Sequence, residues 1–181
     1  MMTEKQIIIG KCLSVTDGDT IKCTLVQNMS KYSFHKPLIK IRISGIDSPE
    51  LDHQNMENSQ QFGVEARKAM ADMVLDKEVV IEILAKDRYR RYLCIVYTKD
   101  EINTNLSMLK LGLADMYKGP NAHYGEFERQ FKDALEQAKK NKVGMWSVDD
   151  VITPYEYKKN KKNSHRDRLD IETSESCIHG L

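Results

Sequence analysis

The sequence has no apolar stretch near the roughly 20 residues that a bilayer-spanning helix requires. The one apolar run close to the N-terminus, Ile7 to Ile9 behind a lone Lys5, is too short to be the core of a secretion signal. A soluble intracellular protein is therefore the default expectation, with the compartment left open. Cysteine is also scarce. There are only Cys12, Cys23, Cys94 and Cys177, and none has the C-x-x-C spacing of a structural zinc site. Cys12 and Cys23 flank an expected hairpin symmetrically, and free, half-buried thiols are expected there ahead of a disulfide. The histidines (His35, His53, His123, His165 and His179) are scattered over expected loops and tail, so none is assigned a catalytic role. An excess of either charge sign is missing too: 28 basic side chains meet 27 acidic ones, for a net charge of +1. Any attraction for a polyanion must then come from local clustering of Lys and Arg, not from the field of the whole chain.

What is present is the patterning of one small α+β domain. Residues 7–15 and 20–26 are rich in β-branched residues and read as strands, joined through Asp17-Gly18-Asp19, a hairpin signal. Residues 27–37 are polar and end in Pro37, as a loop does. Ile39, Ile41 and Ile43 then alternate with Lys40, Arg42 and Ser44, which places Arg42 on the polar face of a third strand. Residues 51–61 have no periodicity and read as an exposed loop. A helix is expected at about 63–75, from the stripe Ala66, Met70, Met73 and Val74. Strands follow at 78–84 and 91–97 around the basic turn Lys86 to Arg90, then helices at roughly 102–111 and 126–141. Met145-Trp146 reads as a closing hydrophobic plug. Five short strands interrupted by a helix after the third point to an OB-fold barrel with three α-helices. Residues 1–150 are expected to form this domain. Residues 151–181 read as a polar, disordered tail whose segment 158–168 holds six basic residues against one acidic.

The chemistry is concentrated at strand ends. Asp19 lies in the first hairpin, while Asp47 and Glu50 follow the third strand. In a meander of strands one to three, Asp19 and Asp47 can converge at one rim. Clustered carboxylates repel one another unless a cation lies among them. An all-oxygen set favours a hard ion, Ca²⁺ before Mg²⁺. Arg42, on the strand leading into Asp47, suits paired hydrogen bonding to a phosphate, and Arg91 could supply a second clamp. Glu50 is left to orient or deprotonate an attacking water. Tyr89 and Tyr117 are candidates for stacking on bases. Each element alone also occurs in ordinary hairpins and turns. What counts is their joint occurrence in this order.

Three segments carry a specific resemblance: Val15-Thr16-Asp17-Gly18-Asp19-Thr20, Arg42 to Glu50 (RISGIDSPE), and Asp87 to Leu93 (DRYRRYL). Together with Gly144-Met145-Trp146-Ser147 they resemble the staphylococcal nuclease (thermonuclease) family over about residues 7–148. The resemblance implies an OB-fold barrel and Ca²⁺ held by Asp19, Asp47 and the backbone carbonyl of Ser48. It assigns Arg42 and Arg91 to the scissile phosphate and Glu50 to the water. It also implies endonucleolytic cleavage of DNA or RNA, single-stranded or frayed by preference, with low sequence specificity and 3′-phosphate ends. No membrane or obligate protein partner is expected. A catalytically inactive OB-fold module that only binds nucleic acid is the alternative. Such a module would be expected to have lost the acids or the arginines, which are all present here. The sequence departs from the family pattern at four places. Ser48 replaces a usual Thr, and residues 27–37 lengthen a connection. Loop 51–61 has no Lys or Arg. Arg90 stands where a Gly normally precedes the phosphate-binding arginine, which leaves open whether Arg90 or Arg91 reaches the phosphate; Arg91, at the start of the alternating strand, is the expected one.

Overall fold

The structure is a computed structural model that describes residues 5–26, 37–119 and 122–164. The expected projecting loop at 27–37 lies, apart from Pro37, outside the described residues, as does the tail beyond residue 164.

In chain order the elements are β1 (Gln6–Asp17), β2 (Thr20–Leu25), β3 (Leu38–Ile43), the short β4 (Ile46–Asp47), α1 (Gly63–Val74), β5 (Glu78–Lys86), β6 (Tyr92–Thr98), α2 (Thr104–Lys110), the short β7 (Asp115–Met116) and α3 (Glu128–Lys140). A further helix, α4, runs over 154–164. Strands β1-β2-β3-β6-β5 close into a barrel, which bears out the expected five-stranded architecture. β3 and β6 pair in parallel, and every other barrel pair is antiparallel. A parallel pair needs a long crossover, and α1 with β5 provides it.

The alternation read from the sequence is what fills the barrel. Ile21, Ile41, Ile43, Ile81 and Ile95 are fully buried, and α1 lays Ala66, Met70 and Val74 against them. The clearest amphipathic pattern, that of α3, buries Phe131, Ala134, Leu135 and Ala138. Met145 and Trp146, in a 3₁₀ turn, close the core as expected. Cys12 and Cys23 face each other in register across β1 and β2, and with Cys94 they are buried free thiols. Among the described residues, no helix is long and apolar enough to cross a membrane.

Two features depart from the expected layout. β4 and β7 form a separate two-stranded sheet, Ile46 opposite Met116 and Asp47 opposite Asp115. The pairing is too short to leave any periodicity in the sequence. The segment after Thr153, expected to lack structure, is instead the fourth helix, α4. Its start is a capping box: the Thr153 hydroxyl and backbone N–H both donate to Glu156, at 2.8 and 2.9 Å, and Pro154 occupies the first helical position.

Candidate active site

The site forms where the β1–β2 hairpin, the segment after β3, the turn before β6 and α4 meet. Asp17 pairs with Thr20, so the hairpin turn is only Gly18-Asp19. A Cβ on Gly18 would lie 2.8 Å from the Cβ atoms of both Ala66 and Ser48. Glycine is needed here for close approach: it lets α1 and the Asp47–Ser48 segment press against the turn that carries Asp19. On the other side, Gly45 adopts φ +74° with the Phe131 ring against it, and this reverses the chain directly into Asp47.

Three of the expected residues converge as the hairpin geometry requires. Arg42 spans the two acids, with Nη1 2.9 Å from Asp19 Oδ2 and Nη2 2.9 Å from Asp47 Oδ1. Asp19 Oδ2 also accepts the Ser48 backbone N–H at 2.9 Å, and Asp19 Oδ1 accepts the Thr20 hydroxyl at 3.0 Å. Glu50 lies at the edge of the same cleft with its side chain partly exposed. Its backbone is clamped by Gln60, whose N–H donates to the Glu50 carbonyl at 2.9 Å and whose Oε1 accepts the Glu50 N–H at 3.1 Å. Gln60 is itself buried and donates to the Ile152 carbonyl at 2.7 Å, tying the Glu50 loop to the segment entering α4.

Arg91, in the turn leading into β6, is held by Asp87: its Nε donates to Asp87 Oδ2 at 2.8 Å and its backbone N–H to Asp87 Oδ1 at 2.9 Å. It lines a cleft of about 510 Å³ together with Asp19, Arg42, Glu50, Tyr89 and Tyr117. Arg90 is exposed and points no atom into that cleft wall. It sits at φ +65°, the left-handed region, which gives the physical reason a glycine would suit this position. Arg90→Gly is therefore expected to stabilise the protein by about 1 kcal/mol, the cost of a left-handed side-chain-bearing residue. Chemical denaturation would register it as a raised midpoint at unchanged m-value. Tyr89 is 63% exposed at the rim, with the Arg91 guanidinium 5.5 Å from its ring centroid.

The residue that sequence reasoning misses is Lys158. From α4 its Nζ reaches Asp47 Oδ1 at 2.6 Å and Glu50 Oε1 at 2.9 Å. Composition alone makes it part of a solvated tail. The signal that points to it is the capping motif Thr153-Pro154-Tyr155-Glu156. Asp17 lies in the expected hairpin, where the sequence gives it no role. It stands beside Asp19 at the cleft wall and accepts the Asp19 N–H at 3.3 Å.

These acids are electrostatically crowded. Burial, and then the neighbouring Asp19, push the Asp17 carboxyl up to about 8. Burial also pushes Asp19 upward, but the Arg42 guanidinium and the Ser48 N–H outweigh it and hold that carboxyl below its ordinary range. Asp47 is raised, by burial first and by Asp19, against the opposing pull of Lys158 and Arg42. Among the described residues there is no group of three or more His, Cys, Asp and Glu side chains that could hold a metal ion. Two carboxylates beside the Ser48 backbone are nonetheless an all-oxygen set. That donor chemistry is the kind a hard cation takes, and in the structure Arg42 and Lys158 pair with the two carboxylates.

A family model described as staphylococcal nuclease homologue matches residues 40–148. The protein named Endonuclease Htp3 of Saprolegnia parasitica is 32% identical over 161 residues, covering 84% of this chain and 76% of that one. A protein of Haemophilus influenzae named uncharacterized endonuclease is 32% identical over 152 residues, covering 84% of this chain and 74% of that one. A probable endonuclease of Sclerotinia sclerotiorum is 34% identical over 126 residues, 66% of this chain and 47% of that protein.

Proposed function

The chain belongs to the staphylococcal nuclease homologue family, and from that premise we propose that it is a Ca²⁺-dependent endonuclease hydrolysing phosphodiester bonds of DNA or RNA. The observation that carries this reading is the bridge Asp19–Arg42–Asp47 beside Glu50 and Arg91 in one cleft. A merely nucleic-acid-binding barrel has no need to bury two acids around an arginine.

Asp19, Asp47 and the Ser48 carbonyl would hold the ion. When bound, it would neutralise charge on the non-bridging oxygens of the scissile phosphate. The protein's own groups do the rest. Arg91 offers its terminal N–H donors to the phosphate from one side. From the other, Arg42, whose terminal nitrogens bridge Asp19 and Asp47, lends its remaining N–H donors and its charge. Together they stabilise the charge that builds up at five-coordinate phosphorus. Asp87 fixes the direction of the Arg91 fork. Glu50 orients a water and accepts its proton as the new O–P bond forms. The bond to the 5′ oxygen breaks and that oxygen takes up a proton from solvent, leaving a 3′-phosphate and a 5′-hydroxyl. Tyr89 and Tyr117 offer ring faces to the flanking bases. Low sequence specificity belongs to the same reading, in which Arg42 and Arg91 address phosphate and the tyrosine rings address base faces.

Denatured DNA and RNA are expected to be cut in millimolar Ca²⁺ and to survive in chelator, read on a denaturing gel. The new 5′ ends should accept phosphate from polynucleotide kinase without prior dephosphorylation. Equal cutting in Ca²⁺ and chelator would remove the metal from the mechanism. Tight retention of strands without any cutting would leave a binding module.

A further inference from the structure

The residues matched by the family model end at 148, yet the cleft wall does not. Helix α4 is capped at its start by Thr153 and Glu156. It is tied to the rim of the Glu50 loop by Tyr157, whose hydroxyl donates to the Asn58 carbonyl at 2.8 Å, and by the Gln60–Ile152 bond. Its residues 158, 161 and 162 share one face at helical spacing. Next to the main cleft this face borders a recess of about 290 Å³ lined by Glu50, Leu51, Asp52, Tyr157, Lys158, Lys161 and Lys162. The recess and the main cleft share Glu50 and Lys158, so a strand leaving the cleft past Glu50 enters it.

The charges in the recess are not balanced out. Asp52 accepts the backbone N–H groups of Gln54 and Asn55, at 2.9 and 3.1 Å, and keeps a charge that attracts Lys161, while Glu50 is engaged by Lys158. Three lysines against these two acids leave the recess one positive charge in excess. Among the described residues, neither Lys161 nor Lys162 forms an ion pair. The facing loop 51–61, which closes this side of the cleft, has no Lys or Arg of its own. On this side the cations available to a polyanion come from α4.

We propose that α4 is a backbone-binding arm, with Lys161 and Lys162, and Lys158 at the mouth, holding the phosphates of the nucleic-acid strand that flank the scissile one. This rests on the nuclease reading for its substrate and extends it to a subsite outside the matched domain. Side chains three and four residues apart on a helix lie about 5–6 Å from each other, close enough to serve neighbouring phosphates of one strand.

The test compares the full-length protein with its Lys161→Gln/Lys162→Gln double variant. Both positions are exposed, so the fold is retained. The variant is expected to bind a fluorescein-labelled 12-nucleotide single strand in chelator about 10-fold more weakly at low salt, by anisotropy. The salt slope of log affinity should fall by about 0.7 for each phosphate that is no longer neutralised. In Ca²⁺, KM on the 12-mer should rise correspondingly, while turnover of the dinucleotide TpT, which has no flanking phosphate, stays unchanged. Unaltered anisotropy and salt slope would overturn the proposal, as would equal impairment on the 12-mer and on TpT. A wild-type protein that binds the strand through these lysines but cuts nothing in Ca²⁺ would sink the nuclease reading and leave the arm standing.

Discussion

Replacing Arg42 by alanine is expected to lower kcat/KM on single-stranded DNA by about 10³-fold or more, the scale of an arginine that stabilises charge in phosphoryl transfer. The same substitution should have a second signature that a purely catalytic arginine would lack. The Arg42 side chain is only 11% exposed and lies between two carboxylates that are almost wholly buried. Removing it leaves Asp19 and Asp47 facing each other with Lys158 as the remaining nearby cation. Stripping one partner from a buried ion pair typically costs about 3–5 kcal/mol. In chelator the variant should therefore melt well below the wild type. In Ca²⁺ much of the gap should close, because a cation among the two acids takes over the compensation that the guanidinium gave. Arg42→Lys should fall between the two, since a single ammonium cannot bridge both carboxylates with a planar fork. Thermal unfolding with and without Ca²⁺, run beside a cleavage assay, decides the matter. Equal destabilisation in both buffers would mean that no ion shares the Asp19–Asp47 site, and undiminished cleavage would remove Arg42 from the chemistry.

That the two acids meet around Arg42 is legible in the sequence because each step is local. Asp-Gly between β-branched runs specifies a tight hairpin. The alternation of Ile39, Ile41 and Ile43 fixes which face of β3 carries Arg42, and a meander then leaves Asp19 near Asp47. The barrel is legible for the same reason, since period-2 and period-3.6 patterns encode burial directly. The hidden parts are those where structure comes from polar contacts over long separations. Helix α4 has no apolar stripe; it stands on a capping box, on Pro154 and on hydrogen bonds from Tyr157 and Gln60 across about a hundred residues of chain. Composition makes that stretch look like solvated tail, and so places Lys158 outside the site. Gln60, in a loop without periodicity, is buried and holds both backbone groups of Glu50, and no sequence pattern predicts a buried amide in such a place. The left-handed turn residue Arg90 lies between these cases: the departure from glycine is visible in the sequence, and its cost arises only from the left-handed backbone of the folded turn.

Glu50→Gln is expected to lower kcat by about 10²–10⁴-fold, the usual range for losing a positioned proton acceptor, while KM changes little. The substitution keeps size and shape, and the main-chain bonds to Gln60 do not involve the carboxylate, so the loop should stay where it is. A competing explanation must be separated: Glu50 also pairs with Lys158 at 2.9 Å, and its replacement could act by releasing α4. Lys158→Gln breaks the same ion pair and leaves the carboxylate in place. If Glu50 acts on water, Lys158→Gln should chiefly raise KM on long strands and keep most of kcat. If Glu50 only anchors the helix, the two variants should fail alike on the 12-mer and both should spare TpT, and the double variant should be no worse than either. The two readings thus differ in which kinetic constant moves. A Glu50→Gln protein that keeps wild-type kcat would remove Glu50 from water activation and move that role to another acceptor lining the cleft, Asp17 or His123.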